Sequence, residues 1–484
     1  MTKTGIDAIH YYVPSLVLPI SALAEARGIE YAKLNKGLGL EGMALCDADE
    51  DVATMAAEAA INLIEEQGLE PQEIDRIYLG TESALDAAKP TAAYILGIIE
   101  DRLQSEYGER CLQNCDVIDM TFACIGGVDA LLNSADYIRL HPQSKAIVIA
   151  ADKAQYDLAS TGEYTQGAGA VAMLISANPR LLSLEPVFGV ATKSEYDFFK
   201  PRRLFAKSEL LQAAAQLLGS PIKEEDISAL LASAEDAFWG SDKKEIELFK
   251  EEPVFDGPYS NDCYKARTSE ALAHLEKQRP ELSILKDWDY TVFHLPYAYQ
   301  ARRMFTEMWL DRLSSSELAS LVDELGQASG ESPNWDPAFV KAVSKSDAYR
   351  QFVAAKIAPG ERASSQIGNM YTASLFMSFL SILESAREVK EDLAGKQMGF
   401  MAYGSGSKSK VFFGSLEAQW QEALPKGALF SRLAQRQTID FKTYEALHKG
   451  ELKEAVLSRK GSVFQALAQE PNREGYRYYA QASK

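Results

Sequence analysis

The alternation of short apolar strands with amphipathic helices along the first half of the chain is the feature that most constrains its fold. GIDAIHYYVP, IDRIYLGTES, CDVIDMTFAC and KAIVIAAD have the length and composition of buried strands. Between them, EDVATMAAEAAINLIEEQG, AAYILGIIEDRL and GGVDALLNSADYIRL carry apolar residues at helical spacing. Buried strands that alternate with helices of about 10–15 residues are typical of a sheet covered by helices on both faces. The sequence therefore predicts an α/β fold.

The second half repeats this pattern less regularly. DYTVFHLPYAYQARRMF has the order strand, turn and helix, MYTASLFMSFLSILESA is a strong helix pattern, and KQMGFMAYGSGSKSKVFFGSLEA has two strands around a Gly-rich turn. The sequence thus predicts a duplicated α/β domain, with an N-terminal half at 1–180, a C-terminal half at 181–425 and a C-terminal extension at 426–484.

Two segments match neither half. In residues 203–250, the sequence pattern predicts two or three amphipathic helices. We place a break between them at Gly219-Ser220-Pro221, because proline is tolerated at a helix start. Residues 305–360 are mostly helical and polar. We interpret both as helical insertions into the C-terminal half. A lid, a dimer contact and a simple covering are all open as their role.

Composition limits the classes of partner. The chain has 50 Lys and Arg against 69 Asp and Glu, and this net charge of −19 argues against a nucleic-acid partner, which needs a concentrated basic surface. No apolar run approaches the roughly 20 residues of a membrane-spanning helix. The 5 cysteines lack zinc-type spacing, and MTKTGIDAIH lacks the pattern of a signal peptide. These features predict a cytoplasmic protein.

Cys124 is the candidate nucleophile. It stands in MTFACIGGVDAL, where an apolar strand meets Gly126-Gly127 and then a helix. A thiol at this junction faces the unpaired N–H groups and the positive dipole end of the helix, which favour the thiolate. Buried packing is the alternative role for a free cysteine, and we assign it to the cysteines at 46, 111, 115 and 263.

His294 and Asn369 are candidates to act with Cys124. His294 ends a predicted strand in TVFHLPYAY, and Asn369 begins a predicted helix in IGNMYTAS. In acyl transfer by Cys, His and Asn, the thiolate attacks while the other two donate hydrogen bonds to the carbonyl as negative charge develops. Taken singly, each polar residue equally suits a helix cap or a turn. The histidines at 10, 141, 274 and 448 lack a comparable setting, and we predict that they are structural or solvated.

Together the motifs resemble a known family. In order, and over about residues 4–417, the chain resembles the signature segments of the hydroxymethylglutaryl-coenzyme A synthases in IYLGTESALDAAKP, DMTFACIGGVDALL, YTQGAGAVAMLI, YDFFKP, PVFDGPYSNDCY, VFHLPYAY, GNMYTAS and YGSGSKSKVFFGSL. The resemblance implies a thiolase-type fold of two similar αβαβα halves, a homodimer, and no metal or organic cofactor.

The resemblance also implies roles for individual residues. Cys124 matches the cysteine that becomes acetylated, Glu82 the general acid/base, and His294 and Asn369 the pair that polarises a carbonyl. Substrate-binding positions are implied for Asp152, Thr165, Asp197, Phe198, Lys200, Tyr371, Gly404 and Ser405. A helix cap is the alternative role for Glu82, because a helix is predicted after GTESALD.

The implied reaction condenses acetyl-CoA with acetoacetyl-CoA, as in the mevalonate route to isoprenoid precursors. The tertiary alkoxide formed with the carbon–carbon bond needs a proton, and Glu82 is the expected donor. One departure concerns coenzyme A: the family usually has Lys five residues after the catalytic His, and this chain has Tyr299 there. Candidates to replace the lost charge are Lys200, Arg202, Arg203, Arg302 and Arg303.

Three functions remain open at this stage. The first is the synthase acting on two coenzyme A thioesters. The second is a relative that acts on β-ketoacyl groups held on an acyl carrier protein, as in polyketide β-branching. The third is a non-catalytic thiolase-fold scaffold. A β-ketoacyl carrier protein synthase would also contain Cys, His and Asn, but its decarboxylative reaction does not need Glu82. The complete set of catalytic residue types favours an enzyme, and the acyl-pocket matches favour coenzyme A substrates.

Overall fold

A ten-stranded mixed sheet forms the centre of the first of two units into which the chain divides. The computed structural model describes residues 2–234, 239 and 243–482. The first unit consists of Met1–Asp197 and Gly257–Lys484, and the second of Phe198–Asp256. The strands, in chain order, are β1 (Thr4–Tyr12), β2 (Leu16–Pro19), β3 (Gly42–Leu45), β4 (Ile74–Gly80), β5 (Asp116–Met120), β6 (Lys145–Ala154), β7 (Gly167–Ala177), β8 (Leu182–Leu184), β9 (Gly189–Thr192), β10 (Phe198–Phe199), β11 (Arg202–Ala206), β12 (Glu245–Phe249), β13 (Val254–Phe255), β14 (Tyr290–Phe293), β15 (Gly330–Glu331), β16 (Asn334–Trp335), β17 (Gln397–Gly404), β18 (Lys408–Leu416), β19 (Gln437–Thr438), β20 (Gly461–Leu467) and β21 (Arg477–Ala482).

The helices belong to both units. They are α1 (Ile20–Arg27), α2 (Tyr31–Leu38), α3 (Val52–Gln67), α4 (Thr91–Tyr107), α5 (Gly126–Leu140), α6 (Lys207–Leu217), α7 (Glu224–Ser233), α8 (Gly257–Gln278), α9 (Ile284–Asp287), α10 (Gln300–Leu310), α11 (Ser315–Leu325), α12 (Pro337–Val343), α13 (Asp347–Lys356), α14 (Ala358–Ile367), α15 (Ser374–Val389), α16 (Leu429–Ala434) and α17 (Phe441–His448), with short 3₁₀ turns at Pro71–Glu73, Glu163–Thr165 and Tyr371–Ala373. Neither length nor apolar character equips any helix within the described ranges to cross a lipid bilayer.

The sheet joins the two halves of the chain. Its order is β14-β17-β18-β8-β1-β7-β6-β4-β5, with β9 also paired to β18. β4 is parallel to both β5 and β6, and β14 is parallel to β17, whereas the remaining neighbours are antiparallel. Because the carboxyl ends of parallel neighbours meet at one sheet edge, the loops after β4 and β5 lie together. The predicted α/β fold is confirmed.

Two helices lie in the interior rather than on an outer face. A Cβ on Gly80 would lie 2.1 Å from the backbone nitrogen of Gly127, so α5 begins in direct contact with the end of β4. On its other side, the Cβ position of Gly127 is 3.0 Å from a ring carbon of Phe376 in α15. α15 is buried from Ser374 to Glu384, and seven of these eleven residues are apolar. The start of α5, which follows Cys124, is therefore fixed from both sides.

The C-terminal extension is bound to the acidic segment at residues 47–51. The Asp47 carboxylate accepts hydrogen bonds from the backbone N–H groups of Val456 and Leu457 at 2.7 and 2.9 Å. Arg459 pairs with Glu50 at 2.5 Å, and Arg477 pairs with Asp51 at 3.0 Å. These contacts fix the N-terminal end of α3 against the last part of the chain.

The segment at 305–360 contributes to the core of the first unit. Trp309 of α10, Phe339 of α12, and Tyr349 and Val353 of α13 share one buried cluster. The segment is therefore more than a surface covering, although its polar composition predicted an insertion. Most of its charged residues are exposed.

The second unit contains both helices and strands. α6 and α7 lie on either side of the predicted break at Gly219-Ser220-Pro221. β11 pairs with β12 and β10 with β13, both antiparallel. The sequence did not predict these ribbons: among the described residues, each strand pairs with one other strand, and none of the strand residues is buried. The part of the predicted helices that falls on 235–238 and 240–242 lies outside the described residues.

Candidate active site

Cys124 lies in a tight turn between β5 and α5. The preceding residue, Ala123, has a φ of +40°, in the left-handed region that a residue with a side chain rarely adopts. This turn places Cys124 two residues before the first residue of α5, at the end of the helix that carries positive partial charge. The thiol is only partly buried, so a substrate can reach it. The strand–turn–helix setting predicted for this cysteine is confirmed.

Glu82 faces Cys124 across the sheet edge. Its loop follows β4, and the Sγ atom of Cys124 lies 2.9 Å from the Oε1 atom of Glu82. The alternative role of Glu82 as a helix cap is wrong, because α4 begins only at Thr91. The N–H groups of Thr91 and Ala92 donate instead to the carboxylate of Asp119, at 2.5 and 2.8 Å. The carboxylate is therefore positioned to receive the thiol proton.

Asp152 binds two loops of the site to each other. It lies near the end of β6 and is fully buried. One carboxylate oxygen accepts from the Thr81 hydroxyl at 2.9 Å and from the Glu82 N–H at 2.8 Å. The other accepts from the N–H of Thr372 at 2.9 Å and also from the hydroxyl of Thr372. Asp152 thereby positions Glu82 relative to the segment that carries Asn369 and Tyr371, which gives it a role besides the predicted substrate contact.

His294 follows β14 directly and is buried. Burial lowers the pKa of the imidazole from 6.5 to about 3, so the ring is neutral at physiological pH. Its Nδ1 atom lies 2.5 Å from the hydroxyl of Ser374, and its backbone carbonyl accepts from the hydroxyl of Tyr264 at 2.7 Å. A neutral imidazole can donate one hydrogen bond to a carbonyl without carrying charge into the site.

Asn369 is held with its amide nitrogen available. The side-chain Oδ1 accepts from the N–H of Tyr371 at 2.8 Å, and the Asn369 N–H donates to the carbonyl of Thr165 at 2.8 Å. Within the described part of the chain, the Asn369 Nδ2 group has no hydrogen-bond partner. Thr165 thus enters the site through its backbone, while its hydroxyl donates to the carbonyl of Gly162 at 2.8 Å.

The Gly-rich turn after β17 meets the turn that carries Cys124. A Cβ on Gly404 would lie 2.6 Å from the carbonyl oxygen of Phe122, so this close approach requires glycine. Asp197, fully buried, accepts from the N–H of Gly406 at 2.8 Å and from the hydroxyl of Tyr403 at 2.7 Å. Asp197 therefore positions the backbone around Ser405, which lies in the same turn.

Three buried tyrosines belong to the site. The ring centroids of Tyr156 and Tyr371 are 6.4 Å apart, and the ring of Tyr264 lies 5.9 Å from that of His294. Burial raises the pKa values of all three tyrosines, and the charge of Cys124 contributes to each shift. Tyr371 was a predicted site residue. Tyr156 and Tyr264 were not, nor was Ser374. Tyr264 and Ser374 stand in the matched segments PVFDGPYSNDCY and GNMYTAS, but nothing in the sequence distinguishes them there from core residues. Tyr156 stands in no matched segment.

Two predicted substrate contacts belong to the second unit. Phe198 pairs with Phe255 across the β10–β13 ribbon, with ring centroids 6.4 Å apart. Lys200 follows that ribbon and is partly buried. Their role in substrate binding stays a prediction. Among the described residues, no group of three or more His, Cys, Asp or Glu side chains is arranged to hold a metal ion.

Comparisons with known proteins agree on one family. Residues 1–180 match the family model for the N-terminal region of hydroxymethylglutaryl-coenzyme A synthase, and residues 240–470 match the model for its C-terminal region. The hydroxymethylglutaryl-CoA synthase of Haloferax volcanii is 30% identical over 467 residues, covering 93% of this chain and 92% of that protein.

Solved structures show the same relationship. The structure of MvaS in complex with 3-hydroxy-3-methylglutaryl coenzyme A has a TM-score of 0.76 and 26% identity, and the match covers 100% of both chains. The HMG synthase of the curacin biosynthetic pathway, solved in complex with apo donor-ACP, has a TM-score of 0.70 but only 20% identity, with 99% of this chain and 100% of that chain covered. The second likeness is one of fold.

Proposed function

The chain belongs to the hydroxymethylglutaryl-coenzyme A synthase family, and on that premise we propose that Cys124 and Glu82 carry out the condensation of acetyl-CoA with acetoacetyl-CoA. The products are 3-hydroxy-3-methylglutaryl-CoA and free CoA. The observation that carries the proposal is the 2.9 Å contact between the thiol of Cys124 and the carboxylate of Glu82. A nucleophile and its base are thereby in hydrogen-bond contact, as activation of the thiol requires.

The first stage is acylation. The Cys124 thiol gives its proton to Glu82, and the thiolate, favoured by the start of α5, attacks the carbonyl carbon of acetyl-CoA. The carbon–sulfur bond to CoA breaks, and the departing CoA thiolate takes the proton back from Glu82. The enzyme then holds an acetyl thioester on Cys124, with Glu82 again ionised.

The second stage forms the carbon–carbon bond. Glu82 removes a proton from the methyl group of acetyl-Cys124, and the resulting enolate attacks the ketone carbon of acetoacetyl-CoA. His294 and Asn369 donate hydrogen bonds to the oxygen that becomes negative. The alkoxide receives the proton held by Glu82, and water then cleaves the thioester to Cys124, which releases the product and restores the thiol.

An arginine-lined cavity next to Tyr299 supports a replacement for the missing lysine. Tyr299 stacks under the guanidinium of Arg302 at 3.8 Å, and Arg302 is neutralised by Glu361. The cavity has a volume of about 390 Å³, and its lining includes Arg303 and Arg350. Neither of these two guanidiniums forms an ion pair within the described residues. We propose that they bind the phosphates of coenzyme A, since Arg is well suited to phosphate oxygens.

Two double variants compare this cavity with the other candidates. Arg303→Ala with Arg350→Ala is expected to raise the KM for acetyl-CoA and leave the KM for an acetyl-pantetheine thioester, which lacks the phosphates at the nucleotide end, unchanged. Arg202→Ala with Arg203→Ala is the matched control, because Arg202 pairs with Glu247 at 2.8 Å in the second unit. The opposite pattern would assign coenzyme A to Arg202 and Arg203.

We propose a homodimer that pairs through β5. This strand ends the sheet order, and Ile118 in its centre is 42% exposed. An exposed edge strand with an apolar side chain favours association with another strand. Sedimentation is expected to show a dimer for the wild type and a monomer for Ile118→Lys. A wild-type monomer, or a variant that remains dimeric, would contradict the proposal.

The remaining proposals concern the context of the reaction. We propose a cytoplasmic step of the mevalonate route, without metal or organic cofactor, because the chain supplies its own nucleophile, base and carbonyl donors. The alternative substrate is a β-ketoacyl group on an acyl carrier protein. Tyr299 favours this alternative, because it stands where the family usually has the lysine that helps to hold coenzyme A. Loss of the acetoacetyl-CoA enolate absorbance, with mass identification of the product, tests the main proposal. Turnover only with carrier-protein thioesters would favour the alternative.

A further inference from the structure

Ser374, the first residue of α15, makes a contact that the proposed reaction has not used. Its hydroxyl oxygen lies 2.5 Å from the Nδ1 atom of His294, although the two residues are 80 positions apart in the chain. Both side chains are almost completely buried, with exposures of 2% for His294 and 3% for Ser374. At this burial, each hydrogen must be assigned to an acceptor, since an unpaired donor is costly.

The neighbouring backbone decides which atom donates. The N–H of Leu295 points to the same hydroxyl oxygen at 3.2 Å and can act only as a donor. A serine hydroxyl has one hydrogen and two acceptor positions. Within the described part of the chain, Nδ1 of His294 is the acceptor at hydrogen-bond distance from this hydroxyl. If Nδ1 carried a proton, the Ser374 oxygen would accept two hydrogen bonds and its own hydrogen would lack a partner.

We infer that Ser374 is a positioning residue that fixes the tautomer of His294, with the hydroxyl donating to Nδ1 and the imidazole proton held on Nε2. His294 is then permanently a donor through Nε2. It can polarise a substrate carbonyl, but its Nε2 atom cannot take the proton of Cys124. The proton of the thiol therefore goes to Glu82, which the 2.9 Å contact already favours.

The low basicity of the ring is consistent with this assignment. Burial lowers the pKa of His294 to about 3, so the imidazole does not become doubly protonated in the physiological range. A neutral histidine without a fixed tautomer would present either an N–H group or a lone pair to the carbonyl. Only the N–H group stabilises a developing oxyanion. The Ser374 hydroxyl removes the unproductive tautomer.

The inference rests on the proposed function for its kinetic consequences but not for its spectroscopic test. Protein labelled with ¹⁵N in histidine is examined by NMR between pH 5 and 8, and the His294 resonances are assigned by their loss in His294→Gln. The wild type is expected to show a protonated Nε2 and a hydrogen-bonded, unprotonated Nδ1. A protonated Nδ1 in the wild type would overturn the inference, whatever the enzyme's activity.

Variants of Ser374 test the role in turnover. Ser374→Ala is expected to lower condensation by about tenfold, the equilibrium weight of one net hydrogen bond, and to produce a mixture of tautomers in the NMR spectrum. Ser374→Thr retains the hydroxyl and is expected to restore both. Ser378→Ala, also in α15 and also buried, is the matched control for packing. Unchanged condensation and an unchanged tautomer in Ser374→Ala would overturn the inference.

Discussion

Replacing Glu82 by glutamine tests the assignment of a single base to both stages of the reaction. Glutamine has nearly the same size, and the Glu82 backbone N–H still donates to Asp152 at 2.8 Å, so the loop is expected to keep its position. The amide cannot accept the thiol proton across the 2.9 Å that separates Oε1 from Sγ of Cys124. General acid–base catalysis contributes on the order of 10²–10⁴-fold, or about 3–5 kcal/mol of activation free energy. We expect condensation to fall by that factor in Glu82→Gln.

Two measurements separate the stages. Rapid quenching after mixing with acetyl-CoA, followed by intact mass, gives the rate of Cys124 acetylation. Loss of the acetoacetyl-CoA enolate absorbance gives the rate of condensation. We expect Glu82→Gln to slow both, since the carboxylate contacts the thiol itself. Glu106→Gln on the exposed end of α4 is the control. Condensation within a few-fold of the wild type would refute the role of Glu82, and loss of thermal stability together with activity would indicate a structural role.

Three further predictions concern His294, the second unit and metal ions. Burial holds the pKa of His294 near 3. His294 should therefore cause no inflection in the dependence of the rate on pH between 5 and 8, and His294→Asn should remove none. Below pH 6.5 the unfolded chain takes up a proton on this histidine, whereas the folded chain does not. His294 should therefore contribute a loss of folding stability as the pH falls from 6.5 towards 3, measured by denaturant titration. Replacing residues 203–248 with Asn-Gly should leave the melting midpoint of the first unit unchanged. Arg202 and Phe249 are paired in the β11–β12 ribbon, so a two-residue turn can join them. An insoluble product would place the segment in a core or an interface. Dialysis against a chelator should leave turnover unchanged, and recovery of lost activity with a divalent cation would contradict the proposed absence of a metal.

The sequence predicted the part of the site that depends on neighbouring strands. β4 and β5 are parallel neighbours, so the loops that carry Glu82 and Cys124 had to meet at one edge of the sheet. The strand, Gly-Gly and helix around Cys124 were readable from apolar spacing alone. The helix cap considered for Glu82 was wrong because the chain continues as a loop to Pro90 before α4 begins.

Contacts between distant segments could not be predicted in the same way. The hydrogen bond between His294 and Ser374 connects the end of β14 with the start of α15. Nothing in the local sequence YTAS distinguishes this serine from a helix cap. Asp152 and Asp197 were predicted to contact substrate, yet their carboxylates bind loop backbone as well. The binding of the C-terminal extension to Asp47 and Glu50 likewise depends on residues about 400 positions apart.

The acetyl group on Cys124 is the central intermediate, and its fate can be followed in a single turnover. Protein incubated with acetyl-CoA alone should gain one acetyl group, located on the Cys124 peptide by mass spectrometry. Addition of acetoacetyl-CoA should then return the protein to its original mass while one equivalent of 3-hydroxy-3-methylglutaryl-CoA appears, and Cys124→Ala should do neither. An acetyl group on another residue, or product formed by Cys124→Ala at the wild-type rate, would contradict the account.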